Sequence, residues 1–316
     1  MSLVQVIPSY RPNDDKVWNK RKKYLVKRLT GFAENTNIKT IIYAQLWKDE
    51  DVEEIQSISK NIEIKRYNEP LVPKGGHVSD VREFILNEMY ETDYDFFLMT
   101  DDEITILNSY GIYDLFNQID TNPETIPFDI IMANPMMTFR YKPLNLAKKE
   151  VVERSFTFDN SLPIPRGCND IIRNFKKYNR KPIYYHSSFV FEGKEYPKFD
   201  DVSFYQDSMI DGYFTVNCEQ FIIYCSIDEA LSVHDLGLRE VIEKTRKNQA
   251  FYKQKRLEEL GFKSWSAFRK YIDSKRPRYT SIKRVKPYTF TERELKYTGT
   301  LLENYASRVY TDVSPK

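Results

Sequence analysis

Three consecutive carboxylates, Asp101, Asp102 and Glu103, stand directly after the apolar run Phe96–Met99, inside the stretch Tyr94–Ile106 (YDFFLMTDDEITI). Carboxylate oxygens are hard ligands that suit Mg²⁺ or Mn²⁺, ions that keep coordination positions open for phosphate and water. A short, wholly apolar run reads as a buried strand of a parallel sheet. In open α/β sheets the ligand crevice lies outside the carboxyl ends of the strands. Burial does not explain the triplet, because an unpaired charge is costly inside a core. Read alone, it is equally an acidic turn after a strand.

The elements that position it alternate in type. Leu3–Ile7 is an apolar, β-rich run that ends in Pro8-Ser9-Tyr10-Arg11-Pro12, a segment expected to be a loop. Val17–Phe32 carries apolar residues at helical spacing with basic residues on the other face. Thr40–Gln45 is a second strand, followed by the acidic Trp47–Asp51, a short helix over Val52–Ser59 and a third strand at Ile62–Tyr67. Gly75 and Gly76 precede the helix Val78–Tyr90, whose apolar Val81, Ile85, Leu86 and Met89 share one face. Alternation of this kind predicts βαβ units. Beyond the carboxylates, Ile104–Gln118 is expected to be helical and Phe128–Met132 a buried strand. Residues Asn134–Tyr178 show no period and are expected to be a long irregular segment. Ile183–Phe191 and Gln220–Cys225 are strand-like, and the pattern from Leu236 onward is helical.

The 316 residues are enough for a sizeable core, and 41% hydrophobic with 15% aromatic content excludes a disordered chain. A formal charge of +2 hides an asymmetry: Val241–Phe290 holds 15 Lys/Arg against 4 Asp/Glu, a local +11 that leaves about −9 elsewhere. Such a basic surface suits a polyanion. Cys168, Cys218 and Cys225 lack a CxxC spacing and are odd in number, which points to a reduced, cytoplasmic setting. No apolar run approaches the roughly 18 residues of a membrane span, and no signal peptide is recognisable.

The order of these pieces resembles the GT-A fold of nucleotide-sugar-dependent glycosyltransferases, family 2 in particular. The resemblance covers about residues 1–236 and rests on six loose motifs in sequence. These are Pro8-Ser9-Tyr10-Arg11 after the first strand, the acidic Trp47–Asp51 after the second, and Gly75, Gly76 and Arg82 at a helix start. They continue with the DxD-like Asp101-Asp102-Glu103, the acidic Tyr205-Gln206-Asp207, and Val233-His234 at a strand end. It implies an α/β fold with a Rossmann-like, mixed but mostly parallel sheet flanked by helices. It implies a UDP-sugar donor and a Mn²⁺ or Mg²⁺ cofactor, with a helical, basic extension over 237–316. Pro8, Tyr10 and Arg11 would then line the nucleoside site, with Tyr10 stacked on the base and Asp49 or Asp51 accepting from the uracil N–H. Gly76, Arg82 and Asp101 would serve the diphosphate, and a helix N-terminus after the glycines suits an anion. Asp102 or Glu103 would bind the metal directly and His234 would complete its site or touch the diphosphate; the metal would neutralise charge developing on the departing UDP. Asp207 would be the base that takes the acceptor hydroxyl proton in an inverting transfer. The family shows Glu-Asp where this chain has Gln206-Asp207, so Asp200, Asp201 and Asp211 compete for that role.

The acceptor is less constrained. Lys244–Lys286 mixes basic residues with Trp265, Phe268, Tyr271 and Tyr279, and Ser274–Lys286 reads as an extended basic arm broken by Pro277. Basic and aromatic residues together suit nucleic acid. In outline the chain resembles phage enzymes that glycosylate hydroxymethylated bases in DNA, whose target base must leave the stack. A cell-surface glycan or protein acceptor is the alternative. Two other classes fit the carboxylates and basic tail: a metal-dependent nuclease or nucleotidyltransferase, and a nucleic-acid-binding protein without activity. Neither needs the PSYR segment or the acidic residues after the second strand.

Overall fold

Strand and helix alternate through the first hundred residues of the computed structural model. It describes residues 2–67, 78–102, 104–106, 129–135, 158–159, 169–186, 188–198, 203–205, 207–208, 211–213, 215–225 and 239–275. Strands β1 (Leu3–Tyr10), β2 (Lys39–Gln45), β3 (Ile62–Arg66) and β4 (Phe96–Met99) are separated by helices α1 (Asp15–Asn35), α2 (Asp49–Gln56) and α3 (Val78–Tyr90). Then come β5 (Ile104–Ile106), β6 (Ile130–Pro135), β7 (Phe158–Asp159) and β8 (Asp170–Arg173). A hairpin of β9 (Ser188–Phe191) and β10 (Lys194–Pro197) precedes β11 (Thr215–Cys225), α4 (Arg239–Glu259) and α5 (Trp265–Lys275). Nine strands form one sheet in the order β3-β2-β1-β4-β8-β6-β11-β5, with β7 beside β11. Six run the same way; β8 is antiparallel to β4 and β6, and β5 and β7 are antiparallel to β11. This is the mixed, mostly parallel α/β sheet expected from the sequence.

Alternation along the strands sorts the core into two layers. Val4, Val6, Ile41, Tyr43, Phe97 and Met99 face α3 and pack on its Val81, Ile85, Leu86 and Met89. Ile7, Ile42 and Ala44 face the opposite way, onto Trp18, Leu25 and Leu29 of α1 and Ile55 of α2. Asp14 caps α1 by accepting from the Lys16 N–H at 2.8 Å.

Five sequence expectations change, the first being the strand expected over Ile183–Phe191, which begins only at Ser188. The PSY segment is not a loop: β1 stays paired with β2 through Tyr10, opposite Gln45. Pro8 is tolerated because the Thr100 N–H donates to the Val6 C=O and the Arg11 N–H to the Gln45 C=O. Even-numbered residues of β1 therefore turn their amides toward β4, whose pairing ends at Met99, so Pro8 removes no ladder bond. The acidic loop after β2 is the first turn of α2, which begins at Asp49. Ile104–Ile106, expected to open a helix, is strand β5, in keeping with its β-branched residues; the rest of that expected helix lies outside the described residues. Finally, the irregular segment 134–178 contains β8, inserted between β4 and β6.

The expected boundary near 236 lies outside the described residues, but α4 beyond it is packed on the hairpin. Phe251 meets Phe189, Phe191 and Tyr196 at ring-centroid distances of 6.0, 5.2 and 5.6 Å. The Asn248 side chain donates to the Pro197 C=O at 2.9 Å. Helix α4 closes with Gly261 in the left-handed region (φ 75°) and the Phe262 N–H bonded to the Leu257 C=O. Leu257 and Phe268 form the small core between α4 and α5.

Candidate active site

Strand β1 lies between β2 and β4, so the chain leaves it to one side and returns on the other. The carboxyl ends of β1 and β4 diverge at this switch point, the position where open α/β sheets bind ligands. Thr100, Asp101 and Asp102 stand there beside Ser9 and Tyr10.

The strand's alternation continues through the acidic pair and splits it. Asp101 turns to the α3 face, where its Oδ1 accepts from Arg82 Nη2 at 2.5 Å. Asp102 turns to the α1 face, where Oδ2 accepts from Ser9 Oγ at 2.6 Å and Oδ1 pairs with Arg21 at 2.5 Å. The backbone between them is fixed as well: the Asp101 C=O accepts from Arg28 at 2.5 Å, and its N–H donates to Asn169 Oδ1 at 3.2 Å. Arg21 and Arg28 come from the basic face of α1. Seven residues apart, they lie on one helix stripe, but nothing in the sequence says what that stripe meets.

This arrangement bears on two expectations. Asp102 is buried with both oxygens occupied, so it positions the turn and is poorly placed as a metal ligand. Asp101 is 23% exposed at its side chain, and its Oδ2 has no hydrogen bond among the described residues. Arg82, expected at the diphosphate, is held on Asp101, with its guanidinium 5.7 Å from the Tyr185 ring centroid. Among the described residues no three His, Cys, Asp or Glu side chains converge. The donor set fits a divalent cation through Asp101, a hard carboxylate with a free oxygen. Glu103, Gly76 and His234 lie outside the described residues.

At the nucleoside end, Asp51 and Asp49 differ completely. Asp51 is buried; its Oδ1 accepts from Trp18 Nε1 and Lys22 Nζ, both at 2.9 Å, and its Oδ2 accepts from the Lys48 N–H at 3.1 Å. Burial alone would raise its pKa, but these donors outweigh it and hold the carboxyl below its ordinary value. Arg11 is also buried, with Nε 3.2 Å from Asp51 and an ion pair to Asp15. Asp51 and Arg11 thus brace the turn and are not free to read a base. Asp49, 90% exposed at its side chain and paired with Arg66, remains available. Tyr10 is half-buried at the end of β1, and Pro8 presents no donor.

Asp207 faces α4. Its Oδ1 accepts from Tyr252 OH at 2.5 Å, with Lys198 at 3.6 Å and Arg256 at 3.9 Å. Lys198 is buried and lies 4.0 Å from the Tyr252 ring centroid. Of the competing carboxylates, Asp211 is paired with Lys181 at 3.5 Å, while Asp200 and Asp201 are outside the described residues. Sequence reasoning missed Asp170, a fully buried carboxylate opposite Met99 that accepts from Tyr185 OH at 2.9 Å and from Tyr205 OH. A short Asn-Asp before two isoleucines looks like any turn; only its position between β4 and β6 gives it weight.

No family model and no curated protein matches the sequence. Solved structures do. The mannosyltransferase PcManGT from Pyrobaculum calidifontis, in complex with GDP-Man and Mn²⁺, aligns at a TM-score of 0.51 with 10% identity, covering 96% of this chain and 75% of that one. S. aureus TarS 1-349 aligns at a TM-score of 0.46 with 14% identity over 72% of this chain, and its complex with UDP at 0.45. The chain spans 60% of the length of that TarS fragment. At these identities the likeness is one of fold, and the mannosyltransferase match carries it: the sheet and its flanking helices are those of a GT-A structure.

Proposed function

We propose that the protein is a glycosyltransferase that moves a sugar from a UDP-sugar to a hydroxyl acceptor, with inversion, at the crevice between the carboxyl ends of β1 and β4. The observation that carries this reading is the Asp101 carboxylate, half-open at the switch point and gripped by Arg82, in a sheet of GT-A architecture.

In this reading Tyr10 and Asp49 hold the nucleoside, and Arg82 shifts from Asp101 to the diphosphate when the donor enters. Asp101, with Glu103 and His234, would hold Mn²⁺ or Mg²⁺, which would supply positive charge where the UDP leaves. The acceptor oxygen attacks the anomeric carbon as its bond to the UDP oxygen breaks, and a carboxylate takes the hydroxyl proton. The contacts of Asp207 with Tyr252, Lys198 and Arg256 favour a role in docking α4, which leaves Asp200, Asp201 and Asp211 in competition with it for the base role. Basic side chains exposed on α4, on α5 and in the turn between them, among them Lys244, Arg246, Lys247, Lys263, Arg269 and Lys270, support DNA carrying a hydroxymethylated pyrimidine as the acceptor.

The test is UDP release from UDP-sugars with Mn²⁺, with and without hydroxymethylcytosine DNA. Release that needs this DNA, and falls at least about 100-fold in Asp101→Asn, is the expected result. Metal-dependent release indifferent to DNA would move the acceptor to glycans or proteins. Absence of UDP binding under any metal would discard the transferase reading and favour the nuclease class.

A further inference from the structure

We infer that Leu46 contacts the nucleoside of the donor, its side chain forming an apolar wall at the base-binding end of the crevice. The inference rests on the nucleotide-sugar reading and adds a residue to it that the motif order did not supply. Leu46 follows Gln45, the last residue of β2, whose register partner is Tyr10 at the end of β1. It therefore emerges at the carboxyl edge of the sheet, one strand over from the residue expected to stack on the base. Two strand spacings, about 10 Å, separate β2 from β4, a span that a ribose and diphosphate bridge between Leu46 and the Asp101–Arg82 pair.

Two local rules are broken at this point. Leu46 has φ 59°, the left-handed conformation that an L-residue with a branched side chain adopts reluctantly and that Gly or Asn adopts readily. The side chain is also 57% exposed, so packing does not repay the conformation. Beside it, the Trp47 indole N–H is buried with no acceptor among the described residues. A lone exposed leucine needs no explanation. A leucine that is exposed, backbone-strained and placed at the ligand edge has one in function, because strain persists where a site requires it. The turn from β2 into α2 needs the positive φ; it does not need leucine. An apolar side chain there covers one face of a flat base, while exposed Asp49 in the next turn offers a polar acceptor to its edge.

The experiment uses the full chain with Mn²⁺ and compares the wild type with Leu46→Gly and Leu46→Asn by calorimetric titration with UDP and with uridine, alongside thermal melting. Both variants fit a positive φ, so Tm is expected to hold or rise. UDP and uridine are expected to weaken by the same factor, about fivefold for the loss of one apolar face. Unchanged UDP affinity in both variants would overturn the inference. So would a fall in Tm in both, which would make Leu46 a packing residue. If the wild type itself binds no UDP, the nucleotide-sugar reading falls first and the inference with it, an outcome separate from a normal wild type with indifferent variants.

Discussion

Replacing Asp51 with Asn is expected to lower stability by about 3 kcal/mol, measured by denaturant unfolding. The substitution turns a donor toward Trp18, Lys22 and the Lys48 N–H, and leaves Arg11 with Asp15 and Lys22 with Glu54 as their remaining counter-charges, both of them exposed carboxylates. Asp49→Asn, in the same turn but exposed, is expected to leave stability within about 0.5 kcal/mol. Nothing in the sequence separates these two carboxylates. What distinguishes them is the arrival of Trp18 and Lys22 from α1, one turn apart and on the same stripe. Asp101 and Asp102 are a different case, because strand alternation alone predicts that neighbours leave on opposite faces. Asp95 gives the clearest pH signature. Burial would raise its pKa, yet the Tyr178 hydroxyl, the Ser2 N–H and Lys177 bring it down from 3.8 to about 2. Between pH 4 and 2 the unfolded chain takes up a proton that the folded carboxylate refuses, so stability falls as pH drops through that window. Asp95→Asn should flatten that part of an acid-unfolding profile; an unchanged profile would show that Asp95 does not tie the amino end of β1 to β4.

At the scale of elements, α4 belongs to the body of the protein more than its charge suggests. Its basic residues gave the impression of an appendage, and several are exposed as expected. The inner face carries Phe251, Tyr252 and Gln249, which meet the hairpin, Ser203 and Asp207. Tyr252→Phe removes one hydrogen bond to Asp207 and should cost about 1–2 kcal/mol. Asp207→Asn should cost at least as much, because Lys198 then stays buried beside a neutral group. If Asp207 serves docking, both variants keep the turnover per folded molecule; a loss of turnover in Asp207→Asn alone would return the base role to it. The helices and strands of the first hundred residues were legible because their periods are strong and their lengths ordinary. Strand β8 was not: four residues, DIIR, carry too short a pattern, and their burial comes from neighbours 70 residues earlier in the chain.

Across the whole molecule, the switch point and the sheet order follow from alternation of strand and helix, and they brought Ser9 and Asp102 together from 93 residues apart. The acceptor is where sequence periodicity is silent, since a basic helix face looks the same whether it meets solvent, glycan or DNA. The place of β8 has one more consequence, for the chain as it is made. Phe96–Met99 is apolar throughout and buried on both sides, yet the strand that covers its free edge, and the Asn169 side chain that holds the Asp101 backbone, arrive only with residues 169–173. At a synthesis rate of about 5–20 residues per second, that edge stays uncovered for roughly 4–15 s. During this interval the nascent chain exposes an open, sticky strand that invites pairing with its neighbours on the same message. Yield of active protein should therefore depend on translation speed across this stretch and on chaperones that reach it before β8 does.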